Sequence, residues 1–229
     1  MYNALWKSFG LVTGIWTLSQ TAASAALVLS ADFNANNGGF TVANAGTPAG
    51  PWTWDGVGTW LANGEGNLGT PTASELTSPA FNVPAAGPLT VAISHRYSFE
   101  FDGTRWDGGR LQYSQNGGAW TNVSAAFTSG GYDGVITGNN ALNGSQGWNG
   151  DSAGYGTGSF ITSQVSIPGF AAGDSVQIRF QAGWDEFSTG TAPNWQITNV
   201  NVDAVPEPAT TGMLAAAAAG ILCVRRRRR

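Results

Sequence analysis

Lysine is absent from residues 26–205 of this 229-residue chain, and so is cysteine, because Cys223 lies beyond them. The net charge of −4 is therefore an average over unlike parts. Lys7 and the run Arg225–Arg229 supply six of the ten basic residues, leaving Arg96, Arg105, Arg110 and Arg179 to face thirteen of the fourteen acids, a balance of −9 between residues 26 and 205. A nucleic-acid partner is excluded for this body, since polyphosphate binding needs a basic face. Histidine is nearly absent as well: His95 stands alone, which restricts any chemistry that needs an imidazole base. Long helices are disfavoured because 29 of the 33 glycines fall in the same stretch, and glycine costs about 1 kcal/mol per helical position relative to alanine. What the body does have is aromatic surface. Ten Phe, eight Trp and four Tyr supply the core area that a disordered tract lacks, so residues 26–204 read as one folded domain.

The two ends differ from this body. Lys7 precedes the apolar run 8–18, which leads to the small-x-small site Ala23-Ser24-Ala25. Basic, apolar and small residues in that order mark residues 1–25 as a secretory signal cleaved near Ala25 after engaging the secretory translocon. An exported domain without body cysteines folds without disulfides and relies on its apolar core. At the other end, residues 205–229 run from Val205-Pro206-Glu207-Pro208 through an apolar stretch at 211–224 to five arginines. Such a stretch predicts a membrane-anchor helix, with the arginines holding its end on the cytoplasmic side and the prolines keeping the preceding segment extended. Fourteen residues fall short of the roughly twenty a spanning helix uses, and snorkelling arginines extend its reach.

This tripartite tail resembles the PEP-CTERM sorting signal of exported bacterial proteins, with Pro206-Glu207-Pro208 as its motif. The resemblance implies an exosortase, a membrane protease-transpeptidase, as partner. It also implies passage through the inner membrane of a Gram-negative-type envelope, then transfer to the cell surface or extracellular matrix.

Periodicity organises the body. Val91, Ile93, His95, Tyr97, Phe99 and Phe101 alternate with smaller or polar residues, which predicts a long strand over Leu89–Phe101 with one buried face. Ser175–Ala182 repeats the pattern. Shorter strands are predicted at Leu27–Ser30, Gly39–Val42, Trp60–Ala62, Glu75–Val83, Arg110–Ser114, Ala119–Val123, Phe160–Ile167 and Trp195–Asp203, separated by Asn-Gly and Gly-Gly turns. About ten short strands without an amphipathic helix describe an all-β, antiparallel sandwich.

Asp32-Phe33, Asn37-Gly38-Gly39-Phe40, Leu76-Thr77-Ser78-Pro79, Asp107-Gly108-Gly109-Arg110, Asn116-Gly117-Gly118-Ala119-Trp120 and Gln177-Ile178-Arg179-Phe180 follow one another in an order that resembles the MAM-like or concanavalin-like jelly-roll modules of bacterial secreted proteins. The resemblance spans residues 31–203 and implies a jelly roll. Those modules usually close with Gly-Trp-x-Ile-Asp-Asp-Val, whereas this chain has Asn194-Trp195-Gln196-Ile197-Thr198-Asn199-Val200, two acids fewer.

Several residues are candidates for chemistry. Gly150-Asp151-Ser152-Ala153-Gly154 spells Gly-x-Ser-x-Gly, but a serine nucleophile would have to use His95, which shares the alternating face of Ile93 and Tyr97. Glu100 and Asp102, two apart on the long strand, would sit about 7 Å apart on one face, the spacing of a glycosidase pair, or would form a solvated face paired with Arg96, Arg105 or Arg110. Trp52, Trp54, Trp60, Trp106, Trp148 and Trp184 adjoin glycine-rich turns, where a ring can serve as a stacking platform for a sugar or cap the core. Glu100, Asp102, Asp107, Asp185 and Glu186 offer hard oxygen ligands, and calcium is the cation they suit. These features predict a non-catalytic surface module contacting exopolysaccharide or another glycan, with a glycoside hydrolase on the same scaffold as the competing reading.

Overall fold

Alternation around Val91 becomes a strand buried on one face. The computed structural model describes residues 24–45, 52–64, 69–124, 127–187 and 190–207. In it Gly87–Tyr97 is a strand whose Leu89, Val91, Ile93, His95 and Tyr97 are buried while Thr90, Ala92, Ser94 and Arg96 are half-exposed. The strands in chain order are β1 (Ala26–Asp32), β2 (Thr41–Ala45), β3 (Thr53–Trp54), β4 (Trp60–Ala62), β5 (Thr72–Thr77), β6 (Phe81–Asn82), β7 (Gly87–Tyr97), β8 (Gly108–Gln115), β9 (Thr121–Asn122), β10 (Phe127–Ser129), β11 (Gly134–Val135), β12 (Gln146–Gly147), β13 (Ile161–Phe170), β14 (Ser175–Trp184) and β15 (Trp195–Ala204).

Among the described residues, one sheet runs β10-β13-β7-β15-β4-β3 with β1 also beside β15, and a second runs β2-β5-β14-β8-β9 with β6 beside β14. Strands β11 and β12 form a separate ribbon. The paired strands are antiparallel, and the chain changes sheet from β1 to β2, β2 to β3, β4 to β5, β6 to β7, β7 to β8, β9 to β10, β13 to β14 and β14 to β15. Spatial neighbours are therefore distant in sequence, and the fold is an all-β jelly-roll sandwich.

Inner-facing residues of both sheets meet in the core. Leu111, Ile178 and Phe180 come from one sheet and Val91, Ile93, Val200 and Val202 from the other, all essentially inaccessible to solvent. Each such side chain contributes about 1.5–3 kcal/mol on burial. Trp195 occupies the centre, packed on Trp52, His95, Phe99, Trp148 and Phe180 at ring-centroid distances between 5.2 and 6.1 Å. Its six-membered ring lies over Gly109, where an added Cβ would stand 2.5 Å from Cζ3.

Some expectations need correction. The long strand stops at Tyr97 rather than Phe101: Ser98 N–H still bonds Asn194 O beside β15, but Phe99 N–H turns to Gly150 O. Phe101 is consequently 52% exposed. The strand expected over Glu75–Val83 breaks at Ser78-Pro79-Ala80, since Pro79 has no N–H to donate and restricts the residue before it. In place of the two missing acids, Thr198 O accepts from Phe33 N–H and Asn199 pairs with Asp32.

The ends of the body lie side by side. Strand β1 pairs with β15 from Ala26↔Ala204 to Asp32↔Asn199. Beyond β15, Val205 N–H donates to Pro88 O and Glu207 N–H to Ala86 O. Gly87 at φ 150° permits this approach, since a Cβ there would lie 2.2 Å from the Val205 carbonyl oxygen. Among the described residues no helix is long and apolar enough to cross a membrane. Ala23, Pro208 and the apolar stretch 211–224 lie outside the described residues.

Candidate functional site: an acidic cleft at one end of the sandwich

Register brings remote acids together. Strands β8 and β14 pair through Gly108↔Gly183, so Asp107, just before β8, and Asp185, just after β14, emerge at the same end of the sheet. Asp185 N–H donates to Asp107 Oδ1 at 2.8 Å. Glu100 joins them from the segment after β7, and Asn149 holds that segment in place: its Nδ2 donates to Glu100 O at 2.9 Å and Asp107 O at 2.7 Å. One carboxylate oxygen each from Glu100, Asp107 and Asp185 lies within 4.8 Å of the others. In sequence Asn149-Gly150 is one of the Asn-Gly turn signals, and in the fold the Asn149 amide aligns two of the three acids.

The electrostatics follow from burial. Asp107 is inaccessible to solvent, its Oδ2 has no hydrogen-bond partner, and burial pushes its pKa up to about 8, helped by the Asp185 and Glu100 charges and opposed by the Asp185 N–H. Glu100 is also raised, by burial and then by Asp185 and Asp102. Among the described residues no arginine neutralises the group. Arg96 stacks over Tyr155 and Phe160, Arg105 lies over Phe101 and donates to Asp133 O, and Arg110 bonds Gln181. Pairing of the acids with Arg96, Arg105 or Arg110 is thus corrected; among the described residues the ion pair is Arg179–Glu75, at 2.7 Å.

Around these acids opens a cleft of about 350 Å³ lined by Glu100, Asp102, Trp106, Asn139, Asp185, Glu186 and Phe187. Asp102 stands apart from the three-carboxylate group, with Oδ1 taken by Trp106 Nε1 at 3.0 Å and by Thr104 N–H. It is not two residues along a strand from Glu100, because β7 has already ended. Trp106 is half-buried and Phe187 is 65% exposed, so both rings offer surface to the cleft. Asn139 and Asn140 secure the floor, the first bonding Glu186 and the second donating to Trp106 O at 2.6 Å.

The other tryptophans go elsewhere. Trp52, Trp60, Trp148 and Trp184 are buried, which corrects their reading as sugar platforms: ring area that large is better spent in the core, where each indole of Trp60, Trp148 and Trp184 also finds an acceptor. Trp54 is half-buried, packs against the core and donates to Phe33 O. Ser152 is buried too, its Oγ accepting from Tyr97 N–H, while His95 is engaged by Trp195 and Ser163. Those two residues do not form a nucleophile and base.

Comparison with known proteins bears on both parts of the chain. Residues 204–229 match the family model described as the PEP-CTERM protein-sorting motif. The tail is a PEP-CTERM sorting motif. It marks an exported, exosortase-processed surface protein. Among curated proteins nothing matches. Among solved structures, the chain is similar to the CBM22-1 xylan-binding domain from Paenibacillus barcinonensis Xyn10C, at 8% identity and a TM-score of 0.39 over 82% of this chain and 99% of that one. It is similar to the C-terminal CBM6 of LamC from Zobellia galactanivorans, at 15% identity and 0.32 over 78% and 98%. A third is the K3 cleaved adhesin domain of Lys-gingipain from Porphyromonas gingivalis, at 13% identity and 0.38 over 79% and 99%.

The PEP-CTERM motif starts inside the sandwich. Ala204, its first matched residue, is buried at the end of β15, and Val205 and Glu207 carry the ladder onward beside Pro88 and Ala86.

Proposed function

We propose that the body is a non-catalytic, glycan-binding module, delivered to the surface or extracellular matrix by its PEP-CTERM tail, where it contacts exopolysaccharide. The observation that carries this reading is the cleft in which the Trp106 and Phe187 rings stand beside Glu100, Asp102, Asn139, Asp185 and Glu186. A polyhydroxylated ring presents apolar C–H faces and hydroxyl edges, and aromatic surface next to oxygen acceptors and an amide meets both. Residues 1–25 act as the secretory signal cleaved near Ala25, and the segment 211–224 with Arg225–Arg229 holds the precursor in the inner membrane until exosortase acts.

The competing reading is a glycoside hydrolase, favoured by the raised pKa of Asp107 close to a second carboxylate. A general acid must reach the leaving oxygen, within about 3 Å. Asp107 is wholly buried, with Oδ1 held by the Asp185 N–H, so it does not reach a substrate in the cleft, and Glu100, whose pKa is also raised and which lines the cleft, is the acid a hydrolase would have to use.

A glycan array and a polysaccharide-degradation assay on the purified chain separate the two. Binding lost in Trp106→Ala, with no turnover in the parent, supports the module. Turnover that disappears in Glu100→Gln would overthrow it.

A further inference from the structure

Cations are what the acidic cleft lacks. Glu100, Asp107 and Asp185 present oxygens within 4.8 Å of one another, and no basic side chain among the described residues bridges them. An acidic group alone is ordinary on a protein surface. Asp107 is not ordinary: it is 0% exposed, and after Oδ1 accepts the Asp185 N–H its Oδ2 is left buried with no donor. A carboxyl oxygen left in the interior without a donor carries its desolvation cost uncompensated. A buried acceptor without a donor calls for an explanation, and a bound water or ion is one that the neighbouring carboxylates favour.

We propose that Glu100, Asp107 and Asp185 form a calcium site that joins the end of β7, the start of β8 and the end of β14. The donor set is all carboxylate oxygen, which suits a hard cation rather than zinc or copper. An irregular oxygen set drawn from three segments meets the flexible geometry calcium accepts but not the octahedron magnesium demands. Three carboxylates exceed the ion's charge by one, and water completes its shell.

Asn149 is the positioning residue of this site, since one amide group fixes the carbonyls of both Glu100 and Asp107. The ion then sets the cleft's rings, because Trp106 directly precedes Asp107 and Phe187 follows Asp185 by two residues. The assignment does not depend on a glycan: its test reads the metal alone.

The experiment is calorimetric titration of the purified full chain, stripped with chelator, against CaCl2, together with terbium luminescence excited through tryptophan and melting curves. The expected result is one calcium per chain and a melting temperature higher by about 5–10 °C at saturation. Glu100→Gln, at a partly exposed position that tolerates the change, weakens binding by about tenfold or more, as does Asp107→Asn, which keeps the Oδ1 acceptor for Asp185 N–H. Asp203→Asn, remote from the cleft, leaves binding unchanged. Absence of heat and of any melting shift overturns the site. So does a Glu100→Gln variant that binds as the parent does, or an equal shift from MgCl2 at the same concentration.

Discussion

Trp195 Nε1 donates to Nδ1 of His95 at 2.9 Å, and that contact fixes the tautomer of the chain's single histidine. Nε2 then holds the proton and donates to Ser163 Oγ at 2.7 Å, whose hydroxyl passes a hydrogen bond to Gly130 O. The relay is complete only for a neutral ring. A second proton on Nδ1 would point at the indole N–H.

Burial accordingly pulls the His95 pKa from 6.5 down to about 3. Between those values the unfolded chain binds a proton that the folded chain refuses, so His95's contribution to stability is fully present above pH 6.5 and is lost as pH falls toward 3. Urea unfolding is expected to show about 2–3 kcal/mol less stability from this group at pH 4.5 than at pH 7. His95→Gln, whose amide can accept from Trp195 and donate to Ser163, is expected to lose that component; pH profiles that superimpose for parent and variant would discard the assignment.

Gly109→Ala tests the flat packing of Trp195. The new methyl carbon would meet Cζ3 at 2.5 Å in a core with no slack, and a cost of about 1–3 kcal/mol is expected as a lower urea midpoint with unchanged slope. Gly156→Ala is the matched control, because nothing lies within 4 Å of that position, and it should stay within about 0.5 kcal/mol of the parent.

Trp106 and Trp148 are expected to behave oppositely. Trp148→Ala removes a fully buried ring packed on His95, Tyr132 and Trp195 and should cost about 3–5 kcal/mol. Trp106→Ala opens the cleft wall and should abolish glycan retention with little effect on melting. Retention unchanged by the Trp106 replacement would remove the cleft as the glycan site.

Replacing Pro206-Glu207-Pro208 by alanines is expected to leave an unprocessed precursor in the membrane fraction. Immunoblotting of fractionated cells reads this directly, and normal release of the variant would contradict sorting by the motif.

The sequence announced its strands far better than its site. Period-two alternation around Val91 and in Ser175–Ala182 reports one buried face, and that face is buried here. Strands such as Gly134–Val135 and Gln146–Gly147 have no period to read, since two residues become a strand only through a partner elsewhere in the chain. The acids Asp107 and Asp185 were visible individually, but their meeting depends on the register of β8 against β14, across 78 positions. The tryptophans misled for a different reason. A ring beside a glycine turn can swing inward or outward, and Trp148 and Trp106 share that local setting while ending on opposite sides of the surface.

Strand β15 is made last, yet it lies between β7 and the pair β1 and β4. The larger sheet is therefore complete only once the chain has reached Ala204, the residue at which the sorting motif begins. Two final rungs, Val205 to Pro88 and Glu207 to Ala86, lie within that motif. Residues 204–207 thus belong at once to the folded body and to the motif, so the last rungs of the larger sheet and the first stretch of the tail are the same backbone.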